Sequence, residues 1–333
     1  MPLFLRFCFS TGRAEPAKSL SRIEFWKQRL NGFLFSPESD NWLSILRFGL
    51  GLQVILYCLS IRRDWTYLLA DSGGLISRNL SETALAFESP LIPRLGWLVG
   101  IGSHFGLGEE SVLSLIWWCL IAAGCLLFAG LYSRSTAVAA WFLHLGAVKS
   151  SELISYGVDN LTTIGLFYLM LSPLPDRFSL DYQWRKKQSK QRQLLSFWRR
   201  VLQLHLCLIY FFGGLTKALG AGWWNGANLW RALIRPPFAL IPAEVLVRAK
   251  YIFPIAGIGV LVLELGYIVF IWPLTTRRVW LLCILFIHFV IGLAMGMYLF
   301  ALIMILLNLA AFGPGSLWHQ PEPTDDALPS RPQ

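Results

Sequence analysis

Apolar positions along this chain fall into long unbroken blocks, and polar positions collect between them. A bilayer core about 30 Å thick needs roughly 20 residues of helix to cross it. We read about eight such blocks, near 41–61, 112–132, 136–150, 159–174, 200–217, 251–273, 279–294 and 297–313. The third and fourth are short, and the last two form a hairpin about Gly296. The pattern predicts an all-α fold: a polytopic integral membrane helical bundle of about eight transmembrane helices, filling 37–315. Residues 1–36 read as a basic cytosolic segment, with Ser21–Leu34 as an interfacial amphipathic helix. Residues 316–333 read as a disordered cytosolic tail in which Pro, Asp and Glu dominate. In the long loop 62–111, the apolar stretch Pro90–Leu107 is expected to lie in the interface or to re-enter the membrane.

Composition supports the membrane assignment. Hydrophobic residues make up 55% of the chain and charged residues 14%, against about 25% charged in a soluble domain. Tryptophans such as Trp42, Trp65, Trp141, Trp198, Trp272 and Trp280 fall near block ends, where an aromatic belt is expected. The net charge of +10 is concentrated in the first thirty residues and in a second cluster from Arg185 to Arg200. Beside membrane spans, such clusters set orientation and touch anionic membrane lipids; no nucleic-acid partner is expected. With both termini in the cytosol, the basic clusters and the basic turns at Arg134 and Arg277–Arg278 all fall on the inner side. Lys149, Glu152, Asp159, Asn160, Lys217, Trp223, Trp224 and Asn225 then converge on the outer face. None of the six cysteines forms a Cys-x-x-Cys pair, and no His, Asp or Glu spacing matches a metal site, so no metal is expected.

Ionisable groups inside membrane blocks are costly, which makes each a functional candidate. Here they are Arg47, His144, Asp159, His205, Lys217, Glu264 and His288. Arg47 has Glu264 as an expected ion-pair partner. His205, Glu264 and His288 suit hydrogen bonds to neighbouring helices. Lys217 ends the fifth block and admits two readings. It snorkels to water, or it is shielded from water and serves as a base. Gly213 and Gly214 let another backbone approach just before it, and Trp223-Trp224-Asn225-Gly226 is placed to cap a pocket over it. Asp159 and Asn160 suit either a helix N-cap or an acid and amide that orient a substrate or pair with Lys217.

The run His-Leu-x-x-Ile-Tyr-Phe-Phe-Gly-Gly-Leu-x-Lys-x-x-Gly-x-x-Trp-Trp-x-Gly-x-x-x-Trp from His205 to Trp230 resembles the HTTM membrane domain. Bacterial proteins share that domain with the vitamin K-dependent gamma-glutamyl carboxylases. The resemblance extends to Tyr156-Gly-Val-Asp159, to Glu264 and to the closing segment that begins Met297-Tyr298-Leu299-Phe300. It implies a site at the outer face, a reduced vitamin K-type quinone as cofactor, and Lys217 as the base that starts its oxygenation. The oxygenated quinol would then deprotonate an acceptor that captures carbon dioxide. Beside Lys217, Asp159 and Asn160 are expected as orienting or hydrogen-bonding groups, a reading that rests on the residues themselves. Trp223, Trp224, Asn225, His288 and Glu264 would line the quinone pocket.

Two departures bear on this reading. The carboxylases have a histidine near the position of Asp159, and they carry a large lumenal domain that holds their protein substrate. This chain is expected to lack that domain. The expected setting is a multi-pass protein of the bacterial inner membrane. Two other readings stay open. One is a non-catalytic quinone- or lipid-binding subunit that serves a redox partner protein; the other is a transporter.

Overall fold

A computed structural model describes residues 22–71, 77–151, 155–185 and 193–313. The N-terminal segment up to residue 21, Glu152 and the tail from 314 lie outside the described residues. Every regular element among the described residues is helical. The order is α1 (Arg22–Leu34), α2 (Asn41–Ser60), α3 (Trp65–Leu69), α4 (Arg78–Glu88), α5 (Leu95–His104), α6 (Glu109–Ala129), α7 (Ser133–Ser150) and α8 (Gly157–Leu171). It continues α9 (Leu180–Arg185), α10 (Gln193–Ala218), α11 (Ala221–Trp224), α12 (Ala227–Ile234), α13 (Ala243–Arg248), α14 (Ile252–Phe270), α15 (Leu274–Met295) and α16 (Tyr298–Phe312).

Each of the eight apolar blocks coincides with a helix. Five of these, α2, α6, α10, α14 and α15, have the length and hydropathy to cross a membrane. Helices α8 and α16 are apolar but only 15 residues long, about 22 Å at 1.5 Å per residue. The chain is therefore a multi-pass membrane protein, and five spans are the number that length and composition support. Arg199 and Arg277–Arg278, which precede the fifth and seventh blocks, are absorbed into α10 and α15, which extend past the predicted limits.

Helices α2, α6, α7 and α8 pack in sequence, as do α10, α14, α15 and α16. Helices α2 and α16 join the two groups, and α8 packs on α16 as well. The core is correspondingly centred on α2, where Trp42, Leu43, Leu46, Leu50 and Val54 are fully buried. The segment 90–107 becomes α5, which packs on α6 and α7. Glu82 on α4 pins it there by accepting from Gly96 N (2.9 Å) and Ser150 Oγ (2.6 Å).

Arg47 does not pair with Glu264. It is fully buried and binds Asp176, in the connection after α8, through Nε–Oδ2 at 2.5 Å. Its Nη1 donates to the carbonyls of Leu127 (2.9 Å) and Phe128 (2.7 Å). Those carbonyls belong to the last turn of α6, which ends at Gly130 with φ +76°. A helix C-terminus leaves such carbonyls unpaired and carries partial negative charge, so a guanidinium satisfies both demands. Ser44 Oγ (2.7 Å) and Phe178 N (3.1 Å) complete the shell of Asp176 Oδ1. Sequence distance gave no hint of this partner, because Asp176 sits in a polar connection that folds back into the bundle.

Candidate functional site

Lys217 lies in the last turn of α10, and its side chain turns back along the helix, as helical side chains do. Nζ donates to both oxygens of Glu264 on α14, at 2.8 and 2.6 Å. The lysine side chain is 27% exposed and the glutamate 15%. Gly214 makes this pairing possible: a Cβ there would lie 3.0 Å from Glu264 Cβ and 3.1 Å from the Leu265 backbone. The two helices therefore meet at near-backbone contact, as the glycine pair predicts.

Glu264 stands twelve residues into α14, about 18 Å from its start. Lys217 is thus well below the end of its partner helix. The preceding stretch of α14 is covered by α11 and α12. Gly257 admits this cover, since a Cβ there would lie 2.2 Å from the Trp223 carbonyl oxygen. Gly226, at φ +78°, makes the turn between α11 and α12 against Phe253. Trp223 brings its ring to 5.5 Å from Lys217 Nζ, a cation–π contact. The substitution Gly257→Ala is expected to lift α11 off α14, at a cost of about 1–3 kcal/mol. The check is tryptophan quenching in detergent: Trp223 should become more accessible, and unchanged quenching would show that α11 does not depend on this contact.

Beside the ion pair lies a buried polar relay. Tyr210 sits two turns before Lys217 on the same face of α10. Its hydroxyl accepts from Asn308 Nδ2 (2.8 Å) and contacts His288 Nε2 at 2.8 Å. Asn308 in turn accepts from Tyr267 Oη (2.7 Å) and donates to Met304 O (2.8 Å). Donation from the Tyr210 hydroxyl to Nε2, the pattern that also gives the phenol proton an acceptor, places the proton of a neutral His288 on Nδ1. His288 Nδ1 is buried and has no partner. His288 is within electrostatic reach of Lys217, and Tyr210 of Glu264.

The other expected site residues lie elsewhere. Asp159 is 8% exposed and is not the N-cap, which is Tyr156; it stands at the third position of α8 and accepts from Tyr156 N at 2.9 Å, as the acid of a capping box. It lines a cavity of about 130 Å³ with Tyr57, Trp65, Tyr156 and Leu299. Burial raises the pKa of the Tyr156 phenol above its ordinary value, and the Asp159 charge adds to the effect. Phe300 touches His288, with ring centroids 5.8 Å apart, and packs on Gly157 at the start of α8. It stands between the two places. Lys217 therefore pairs with Glu264 and not with Asp159. Asn160 is exposed. Trp224 is 51% exposed, with Nε1 donating to Ala218 O. Asn225 spends its side-chain oxygen on Ala227 N. His205 is held by Tyr168 Oη at 2.6 Å, a link between α8 and α10. His144 contacts Thr163 Oγ1 at 3.0 Å.

Sequence reasoning missed Tyr210, Tyr267, Asn308 and Phe300. Tyr210 was findable from its seven-residue spacing to Lys217, and Asn308 from being polar within an apolar block.

No curated protein and no solved structure matches the chain. The HTTM domain family matches residues 109–314, from α6 to just past α16. The match takes in Lys217, Glu264, His288 and Asn308, and leaves α1 to α5 outside it. The pairing of Lys217 with Glu264 under a tryptophan cover thus lies within the matched segment, and the chain belongs to the HTTM domain family.

Proposed function

We propose that this chain is a carboxylase-like membrane enzyme that oxidises a reduced vitamin K-type lipid quinol, with Lys217 as its base. The observation that carries the reading is the half-buried Lys217–Glu264 pair beneath Trp223. The groups fit such a molecule: an amine, a carboxylate, an aromatic face and a buried imidazole nitrogen without a partner. Phe212, Leu215 and Val262, on the helices that carry the pair, are exposed and face the bilayer that would hold a lipid quinol. A bound quinol supplies an acidic ring hydroxyl and the electrons that reduce oxygen.

Lys217 must be neutral to accept the hydroxyl proton. Moving its proton from Nζ to Glu264 Oε2 turns an ion pair into a neutral pair. His288 Nδ1–H is the group available to hold a ring oxygen by hydrogen bond. Trp223 and α11 close the site from the end where α14 begins. Asp159 and Asn160, read from the sequence as orienting groups, stand outside this cluster; carboxylation of an acceptor at the outer face would follow oxygenation of the quinol. The orientation with both termini in the cytosol is supported by Arg199, Arg200 and Arg277 gathering at the end of the bundle opposite Lys217.

A second reading rests on the same pair. Lys217 is well satisfied by Glu264, as a structural ion pair locking α10 to α14 would be. The chain would then be a non-catalytic quinone- or lipid-binding subunit. The test uses purified protein in nanodiscs with a reduced naphthoquinone, oxygen and bicarbonate, and reads quinone epoxide by mass spectrometry. Epoxide from the wild type is the expected result. Retained quinone binding with no epoxide would end the enzymatic reading and leave the subunit.

A further inference from the structure

At the end of α10 remote from Lys217, three arginines gather, and among the described residues a carboxylate pairs with Arg199 but with neither of the other two. Arg199, Arg200 and Arg277 lie within electrostatic reach of one another. Glu38 pairs with Arg199. Arg200 donates Nε to Phe33 O (3.1 Å) and Nη1 to Gln203 Oε1 (2.8 Å). Arg277 donates Nε to Ile271 O (3.0 Å) and Nη2 to Trp272 O (2.5 Å). These four acceptors are all neutral. A guanidinium has five N–H donors, so each arginine keeps three that these bonds do not use. Both side chains are half-buried, and no carboxylate among the described residues pairs with either. Asp40 and Asp176, the nearby acids of the connections, are engaged with Arg177 and Arg47.

The bonds made by the two arginines fix their planes. Arg200 also lies over the Phe33 ring, 4.7 Å from its centroid, and Phe33 packs on Trp272 at 5.7 Å. The end of α1, the start of α10 and the turn between α14 and α15 thus form one corner with two oriented, uncompensated cations. Helix α1 leads away from this corner with Ile23, Trp26 and Leu30 exposed at 68%, 62% and 59%. It also carries Arg22, Lys27 and Arg29. An exposed apolar face with flanking cations is what an interfacial helix presents to lipid.

We propose that Arg200 and Arg277 form a binding site for the phosphate of an anionic membrane lipid, seated between α1 and the α14–α15 turn. A phosphate presents several oxygens to two guanidinium forks, which are the donors best shaped for it. The lipid is favoured over free phosphate because α1 supplies an acyl-facing apolar surface beside the cations. Bound there, it would tie α1 to the bundle. This inference does not depend on the quinol reading.

Full-length protein is extracted from mixed phosphatidylglycerol–phosphatidylcholine vesicles, and retained lipid is read by native mass spectrometry. The wild type is expected to retain phosphatidylglycerol preferentially. The double variant Arg200→Gln/Arg277→Gln should lose about thirtyfold of that preference, from roughly 1 kcal/mol for each cation. Arg278→Gln, at an exposed position on the same turn, should keep it. Equal retention by the double variant and the wild type would overturn the site. Displacement of phosphatidylglycerol by inorganic phosphate would overturn the lipid assignment. A photoreactive phosphatidylglycerol tests the wild type alone, independently of how the variants fold. Labelling on peptides holding Arg200 or Arg277 supports the site, and labelling confined elsewhere overturns it.

Discussion

Lys217→Ala is expected to lower quinol turnover by about 10²–10⁴-fold, the usual worth of a positioned general base. The loss should fall on kcat, with quinone affinity changed little, because Trp223 and the lipid-exposed apolar residues remain. Lys217→Arg is the sharper variant. It keeps the charge and can still pair with Glu264, but it cannot become neutral in a protein. Turnover should therefore fall as far as in the alanine variant, while the lock between α10 and α14 survives. Glu264→Gln removes the group that takes the lysine proton and leaves an unpaired cation between two tightly packed helices, so it should reduce both turnover and stability. Epoxide formation at the wild-type rate by Lys217→Arg would show that Lys217 is a structural cation. The measurement is single-turnover quinol oxidation followed by absorbance, with quinone binding titrated separately on each variant.

Arg47→Ala is expected to cost about 3–5 kcal/mol, because it strands the fully buried Asp176 carboxylate. It also removes the donor to the Leu127 and Phe128 carbonyls at the end of α6. The effect should appear as loss of folded protein in a denaturant titration of the detergent-solubilised chain. The double variant Arg47→Met/Asp176→Leu should recover much of the loss, since apolar side chains of similar size remove both charges together. If the double variant is as unstable as the sum of the two single changes, the ion pair is not the interaction that matters there. Arg47 is remote in the chain from both candidate site residues on α10 and α14, so Lys217-dependent chemistry should persist in whatever protein folds.

Much of the architecture was legible in the order of residues. A bilayer asks for long apolar helices, and that demand writes itself into composition, so all eight blocks marked real helices. The glycine pair before Lys217 announced a close helix contact because only a missing Cβ allows one. Span length was less legible: α8 and α16 are mostly apolar, yet at 15 residues they are too short to cross alone, and the start of α16 is set by the turn at Gly296 with φ +69°. For the candidate site, the sequence alone identified Lys217, Glu264, His288 and Trp223 as costly or special residues. Their partnerships were decided only by tertiary structure. Arg47 found Asp176 instead of Glu264, Glu264 found Lys217, and Asp159 turned to its own helix start and a separate cavity. The reason is physical: burial cost is a property of one residue and shows locally. Which opposite charge offsets it depends on how helices far apart in sequence pack, and on connections that fold back between them.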